Sequence, residues 1–150
     1  MAIDEQTRDF IRRRANYLCE YCHSSERIAA TRFTIDHIIP RSLNGSDEIT
    51  NLALACRRCN ERRYNFIGGF DPETQTVIAL FNPRQQQWSD HFIWTADGRE
   101  IKGTTPTGRA TCLRLDLNDM RYADSDSIRN ARQLWMQVGL HPPPDDPRQT

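Results

Sequence analysis

The stretch DHIIPRSLNGSDEITNLALACRRCNERR, residues 36–63, sets two short apolar runs on either side of a turn-rich loop and follows them with a cysteine pair. The first run begins upstream with Phe33, Thr34 and Ile35, takes in Ile38 and Ile39, and stops at Pro40, the pattern of a short strand. Asp36 and His37 stand side by side within it, where neither belongs without a partner. The segment RSLNGSDEIT (41–50) is rich in turn formers, with Asn44-Gly45 as its turn. NLALA (51–55) is the second short run. After Cys56, RRCNERRYNF suits a helix ended by Gly68 and Gly69.

Working outward, Cys56 and Cys59 have counterparts in Cys19 and Cys22, and 33 residues lie between Cys22 and Cys56. Paired C-x-x-C motifs place four thiolates where a tetrahedral Zn²⁺ can take them. Such a site is closed, so its role is structural, and soft ligands discourage Mg²⁺. Redox cysteines and an iron–sulfur cluster use the same motif and are the alternatives. The zinc would staple the end of a first helix (5–18, with Asp4 as N-cap and Phe10, Ile11, Ala15 and Leu18 on one side) to the start of the helix after Cys56. The segment between is too small for a core of its own. Cys112 stands apart as a buried small hydrophobe.

The chain has 150 residues, 37% hydrophobic and 27% charged, with 20 basic and 20 acidic side chains. That composition suits a soluble protein, and the zero net charge gives no global argument for nucleic acid. No run approaches the roughly 18 apolar residues of a membrane span, and MAIDEQTRDF lacks a signal-peptide core. The expected location is the cytoplasm, where five cysteines argue for metal or free thiols before disulfides.

Beyond residue 67, TVIALF (76–81) and QWSDHFIW (87–94) are expected as strands. Asp97-Gly98 marks a hairpin turn, with EIKG returning. Thr105 and Pro106 mark the N-cap and first position of a helix. SIRNARQLWMQV puts Ile128, Ala131, Trp135 and Val138 on one helical stripe closed by Gly139, and HPPPDDPRQT is a tail.

The D-H-I-x-P run, the N-L start and the C-x-x-C-N ending, in that order, resemble the HNH endonuclease family, over about residues 15–67. NPRQQQWSDHFIW, PTGRAT and ARQLWMQVGLHPP look like an extension found in one subset of small bacterial HNH proteins. The resemblance implies an α+β chain. Its zinc-stapled ββα-metal core spans 1–67, and a C-terminal α/β extension, a hairpin plus two helices packed on the core, spans 68–150. It implies His37 as the general base that takes a proton from the attacking water, a task suited to an imidazole of pKa about 6.5. It implies Asp36 as a ligand of a catalytic Mg²⁺ or Mn²⁺, and Asn60, standing where the last histidine of the name would be, as the second. Asn51 would hold the strand–loop geometry and orient the His37 ring. Residues adjacent in a strand point to opposite faces, so Asp36 and His37 share a cleft only where the strand twists near its end.

At about 100° per residue, Arg57 and Arg63 fall roughly 60° either side of Asn60 and are the expected phosphate contacts. Arg63 also matches a position where the family often has lysine. Arg12, Arg13 and Arg14 form a second basic cluster. His23, His91 and His141 are expected to take no catalytic part. The partner implied is DNA, with RNA served by the same chemistry, and no membrane. A double-strand cut calls for a homodimer or two successive nicks, and a partner-protein complex is the remaining setting. The competing class is a zinc-ribbon module that binds nucleic acid or protein without catalysis.

Overall fold

The computed structural model describes residues 3–121 and 127–150. They mix helices with small antiparallel sheets, an α+β arrangement, in two compact units. One unit holds residues 1–67 and 82–86; the other holds 68–81 and 87–150. Among the described residues no helix is long and apolar enough to cross a membrane.

In the first unit, α1 (Glu5–Arg14) starts where Asp4 accepts a hydrogen bond from the Thr7 amide at 2.8 Å. It stops four residues short of the expected end because Asn16 and Tyr17 turn left-handed, at φ 53° and 60°. Ile11 is its buried apolar contact; Phe10 stays 41% exposed. β1 (Thr34–His37) pairs antiparallel with β2 (Leu52–Ala55), Asp36 opposite Ala53 and His37 opposite Leu52. Every residue of β2 is buried, so the run LALA is the centre of this unit's core. The connecting loop folds tightly: a Cβ at Gly45 would lie 1.6 Å from the Ile39 carbonyl oxygen, so only glycine fits. α2 (Arg57–Arg63) follows β2 with Cys56 as N-cap.

Two of the three arginines at 12–14 serve this unit's framework. Arg12 pairs with Glu26 at 3.1 Å and donates to the Phe33 carbonyl, and Arg14 donates to the Ile49 and Leu52 carbonyls. From the 82–86 segment, Arg84 reaches Glu20 and the Leu52 carbonyl.

The second unit contains the expected hairpin and helices, with a further hairpin beside them. β3 (Gly68–Asp71) pairs with β4 (Thr76–Ala79), and β5 (Phe92–Trp94) pairs with β6 (Ile101–Gly103). Gly68 and Gly69 do not stop α2; they open β3. A Cβ on Gly69 would come within 3.1 Å of the Ala110 carbonyl, so glycine lets β3 approach α4 (Pro106–Leu115) closely. Thr105 caps α4 with Pro106 in its first turn, as the sequence indicates.

Residues 88–91 form one turn of helix, α3 (Trp88–His91), where a continuous strand was expected. The turn lets Trp88 meet Phe92 and Trp94 with ring centroids 5.0 and 5.9 Å apart, so aromatic packing overrides the strand pattern. α5 (Ser127–Gln137) buries Ile128 but leaves Val138 67% exposed, because the side chain it turns inward is Arg132. Arg132 donates to the Arg99 and Leu117 carbonyls and to Asn118. The C-terminal stretch is not a loose tail: His141 is buried against Trp94 and hydrogen-bonded to Gly98. Cys112 is half-buried, and burial pushes its thiol up to about 12, as expected for an inert side chain.

Candidate active site and metal centre

The sulfurs of Cys19, Cys22, Cys56 and Cys59 all lie within 4.8 Å of one another, and all four residues are buried. Cys22 and Cys56 have their sulfurs 3.7 Å apart. A tetrahedral ion with Zn–S bonds of about 2.3 Å spaces its sulfurs by about 3.8 Å, so the cluster has the dimensions of a tetrathiolate zinc site. The local backbone supports thiolates. The Cys22 amide donates to the Cys19 sulfur and the Cys59 amide to the Cys56 sulfur, at 3.5 and 3.4 Å. Burial raises the Cys19 thiol well above its ordinary value, and a cation is what makes thiolates affordable there. A closed four-thiolate site of this kind would staple rather than react.

Beside it, β1, the loop after it and α2 border an open cleft of about 530 Å³ lined by Asp36, His37, Arg41, Asn60 and Tyr64. His37 is 16% exposed, and its Nε2 lies 2.7 Å from Asp47 Oδ1. A carboxylate only accepts, so Nε2 donates to it, and in the neutral imidazole Nδ1 is then the nitrogen with the lone pair. Hydrogen bonds from His37 and then Arg41 hold the Asp47 carboxyl below its usual range, which keeps that acceptor ionised. Among the described residues Nδ1 takes no hydrogen bond.

Asp36 turns to the opposite face of the strand, as alternation requires, yet still borders the cleft. It is 4% exposed. Its Oδ2 accepts from the Tyr21 hydroxyl at 2.7 Å and from Arg63 Nη1 at 3.1 Å; Oδ1 has Arg63 only at 3.4 Å. Burial raises the carboxyl above its ordinary value, with Arg63 and Tyr21 opposing. A carboxylate has about four lone-pair sites, so Oδ1 retains capacity for a cation. Asn60, half-buried on α2, has a side-chain amide without a hydrogen bond among the described residues. The donor set left open is thus oxygen-based, which fits Mg²⁺ or Mn²⁺ and not zinc.

Residues 19–66 match the family model described as HNH endonuclease. The matched segment takes in both cysteine pairs and the cleft residues named above. No curated protein and no solved structure matches the chain. The match supports a nuclease-type activity and implies a nucleic-acid substrate.

Within the matched segment the structure brings Asp36, His37 and Asn60 to one cleft, and Asn51 closes the loop just before β2. The Asn51 amide is spent on the loop: Nδ2 donates to the Ile39 and Ser46 carbonyls and Oδ1 accepts from the Ile39 amide. It therefore ties the loop together and does not touch the His37 ring. That contact belongs to Asp47, which the loop delivers. Asp47 lies in the turn-rich segment 41–50, and a carboxylate ten residues after a histidine has no signal of its own until the loop closes.

Arg57 and Arg63 part company. Arg57 is exposed and pairs with Glu61 one turn on. Arg63, expected on the surface, is 2% exposed, because that face of α2 packs on the end of β1. It bonds Asp36 and the carbonyls of His37 and Ile38, clamping the histidine strand to the helix that carries Asn60. Arg63→Met should leave the buried Asp36 with the Tyr21 hydroxyl but without its cation and cost about 3–5 kcal/mol of stability. Urea unfolding of the purified variant checks this; an unchanged midpoint would mean that Arg63 acts on the surface after all.

Proposed function

We propose that this chain is a metal-dependent HNH endonuclease that hydrolyses phosphodiester bonds in DNA, as nicks or double-strand cuts. The observation that carries the reading is the His37 ring in an open cleft, with Nε2 held by Asp47 and Nδ1 left to accept a proton from water. His37 acts as general base, and Asp47 fixes its tautomer and stabilises the imidazolium that forms. Arg41, half-exposed at the cleft and bonded to Asp47, and the exposed Arg57 are the cations that meet backbone phosphates. Asp36 and Asn60 would hold the Mg²⁺ or Mn²⁺, which when bound polarises the scissile phosphate and supports departure of the 3′-oxygen. Asn51 and Arg63 keep loop, strand and helix in the register that this requires.

Thiolates hold zinc far more tightly than Asp36 and Asn60 hold Mg²⁺. Brief EDTA treatment should therefore stop plasmid nicking while leaving about one zinc per chain and native helix content. Added Mg²⁺ or Mn²⁺ should restore the wild type but not Asn60→Ala, whose side-chain amide makes no hydrogen bond among the described residues. Undiminished cleavage in EDTA, with zinc the only metal found, would remove the second metal from the mechanism.

A second reading, a zinc-ribbon module without catalysis, draws on the Arg63–Asp36 ion pair, since a cation already occupies much of that carboxylate. A folded, zinc-loaded chain that binds DNA but nicks none of it with either metal would establish that reading instead.

A further inference from the structure

Tyr64 ends α2 in a conformation that residues with a Cβ adopt only at a cost, φ 49° and ψ −124°. The strain is imposed from both sides. Its amide still donates to the Asn60 carbonyl at 3.0 Å, Phe66 donates back to the Arg63 carbonyl at 3.0 Å, and Arg63 is anchored to β1. Glycine would take this position freely. The tyrosine side chain gains little from burial in return, being 69% exposed. It stands on the rim of the cleft that holds His37 and Asn60, and its ring centre lies 6.4 Å from that of Phe66, tilted by 56°.

We propose that Tyr64 is a stacking platform for an unpaired base next to the scissile phosphate, so that the preferred substrate carries a single-stranded segment at the cut. This rests on the nuclease reading of the cleft and adds the kind of strand that enters it. A flat, exposed aromatic ring recognises the face of a base, and bases inside a duplex keep their faces covered by their neighbours. The half-exposed Arg41 on the same cleft supplies the accompanying phosphate contact. The strained backbone fixes where the ring stands, and contact with the base offsets what the strain costs.

The test is binding, done in EDTA so that no cleavage occurs. The probes are a single-stranded oligonucleotide carrying 2-aminopurine and the same sequence fully paired. Tyr64→Ala should weaken single-strand binding about 5- to 150-fold, the range for losing one base–aromatic stack, and abolish the stacking-dependent quenching of 2-aminopurine. Tyr64→Phe should retain affinity within about twofold, since the ring face does the stacking. Tyr64→Gly should lose affinity as alanine does but raise the thermal midpoint, because the strain is relieved. Equal single-strand affinity for wild type and Tyr64→Ala would overturn the proposal, as would a lower midpoint for Tyr64→Gly, which would give the ring a structural role. Equal loss on duplex and single strand would also overturn it, since the ring would then act without an unpaired base. Tyr64-dependent single-strand binding by a chain that never cleaves would sink the nuclease reading and with it the scissile phosphate, and would leave only the base stack at the cleft.

Discussion

Replacing His37 with alanine is expected to slow DNA cleavage by about 10² to 10⁴, the usual worth of a general base. Zinc content, the unfolding midpoint and DNA affinity should hardly change. The side chain borders the cleft, and its one hydrogen-bond partner among the described residues, Asp47, keeps Arg41 when the imidazole is gone. Imidazole truncation thus removes a proton acceptor and little else. Nicking of supercoiled plasmid under single-turnover conditions is the measurement, with the metal in excess. Cleavage by the purified variant at the wild-type rate would refute the assignment of the base, and with it the role given to Asp47. A chain in which neither form cleaves is instead the binding module described above.

Cys56→Ser is expected to lose the zinc and the fold of the first unit together. Structural zinc contributes on the order of 10–16 kcal/mol in small zinc-bound peptides, as much as the whole stability of an ordinary domain. Cys56 also caps α2, accepting from the Cys59 amide, so its loss frees both the ion and the helix start. The core it closes is thin: β2, Ile11 and Tyr21 are its fully buried apolar contributors beside the cysteines. Elemental analysis beside circular dichroism reports both losses on one sample. A soluble Cys56→Ser chain that melts cooperatively without zinc would show that the four thiols do not share an ion.

The order strand, loop, strand, helix between residues 34 and 63 was legible because each piece announces itself locally: Pro40 stops a strand, Asn44 turns, and LALA is apolar throughout. Both cysteine pairs were legible for a related reason, since a tetrahedral thiolate site needs little more than the spacing within each pair. The cleft residues Asp36, His37 and Asn60 were legible through the resemblance that their motif carries. Less legible were the elements that depend on distant packing. Residues 87–91 alternate like a strand but coil once so that Trp88 can meet Phe92 and Trp94, and HPPPDDPRQT lacks any core pattern although His141 is buried against Trp94.

By itself the sequence determined the cysteine cluster that could hold zinc, the local elements and the residue types available for chemistry, because these follow from side-chain identity and near-neighbour spacing. The tertiary structure alone decided what each of those side chains faces. Arg57 and Arg63 are equivalent about Asn60 on a helical wheel, yet one is exposed and the other is locked to Asp36, because β1 packs against only one side of α2. Asn51 and Asp47 are both polar loop residues, yet closure of the loop gives the backbone to one and the histidine to the other. A periodicity gives an angle around an axis. Only the neighbour that covers one side of that axis turns the angle into burial, an ion pair or an open face.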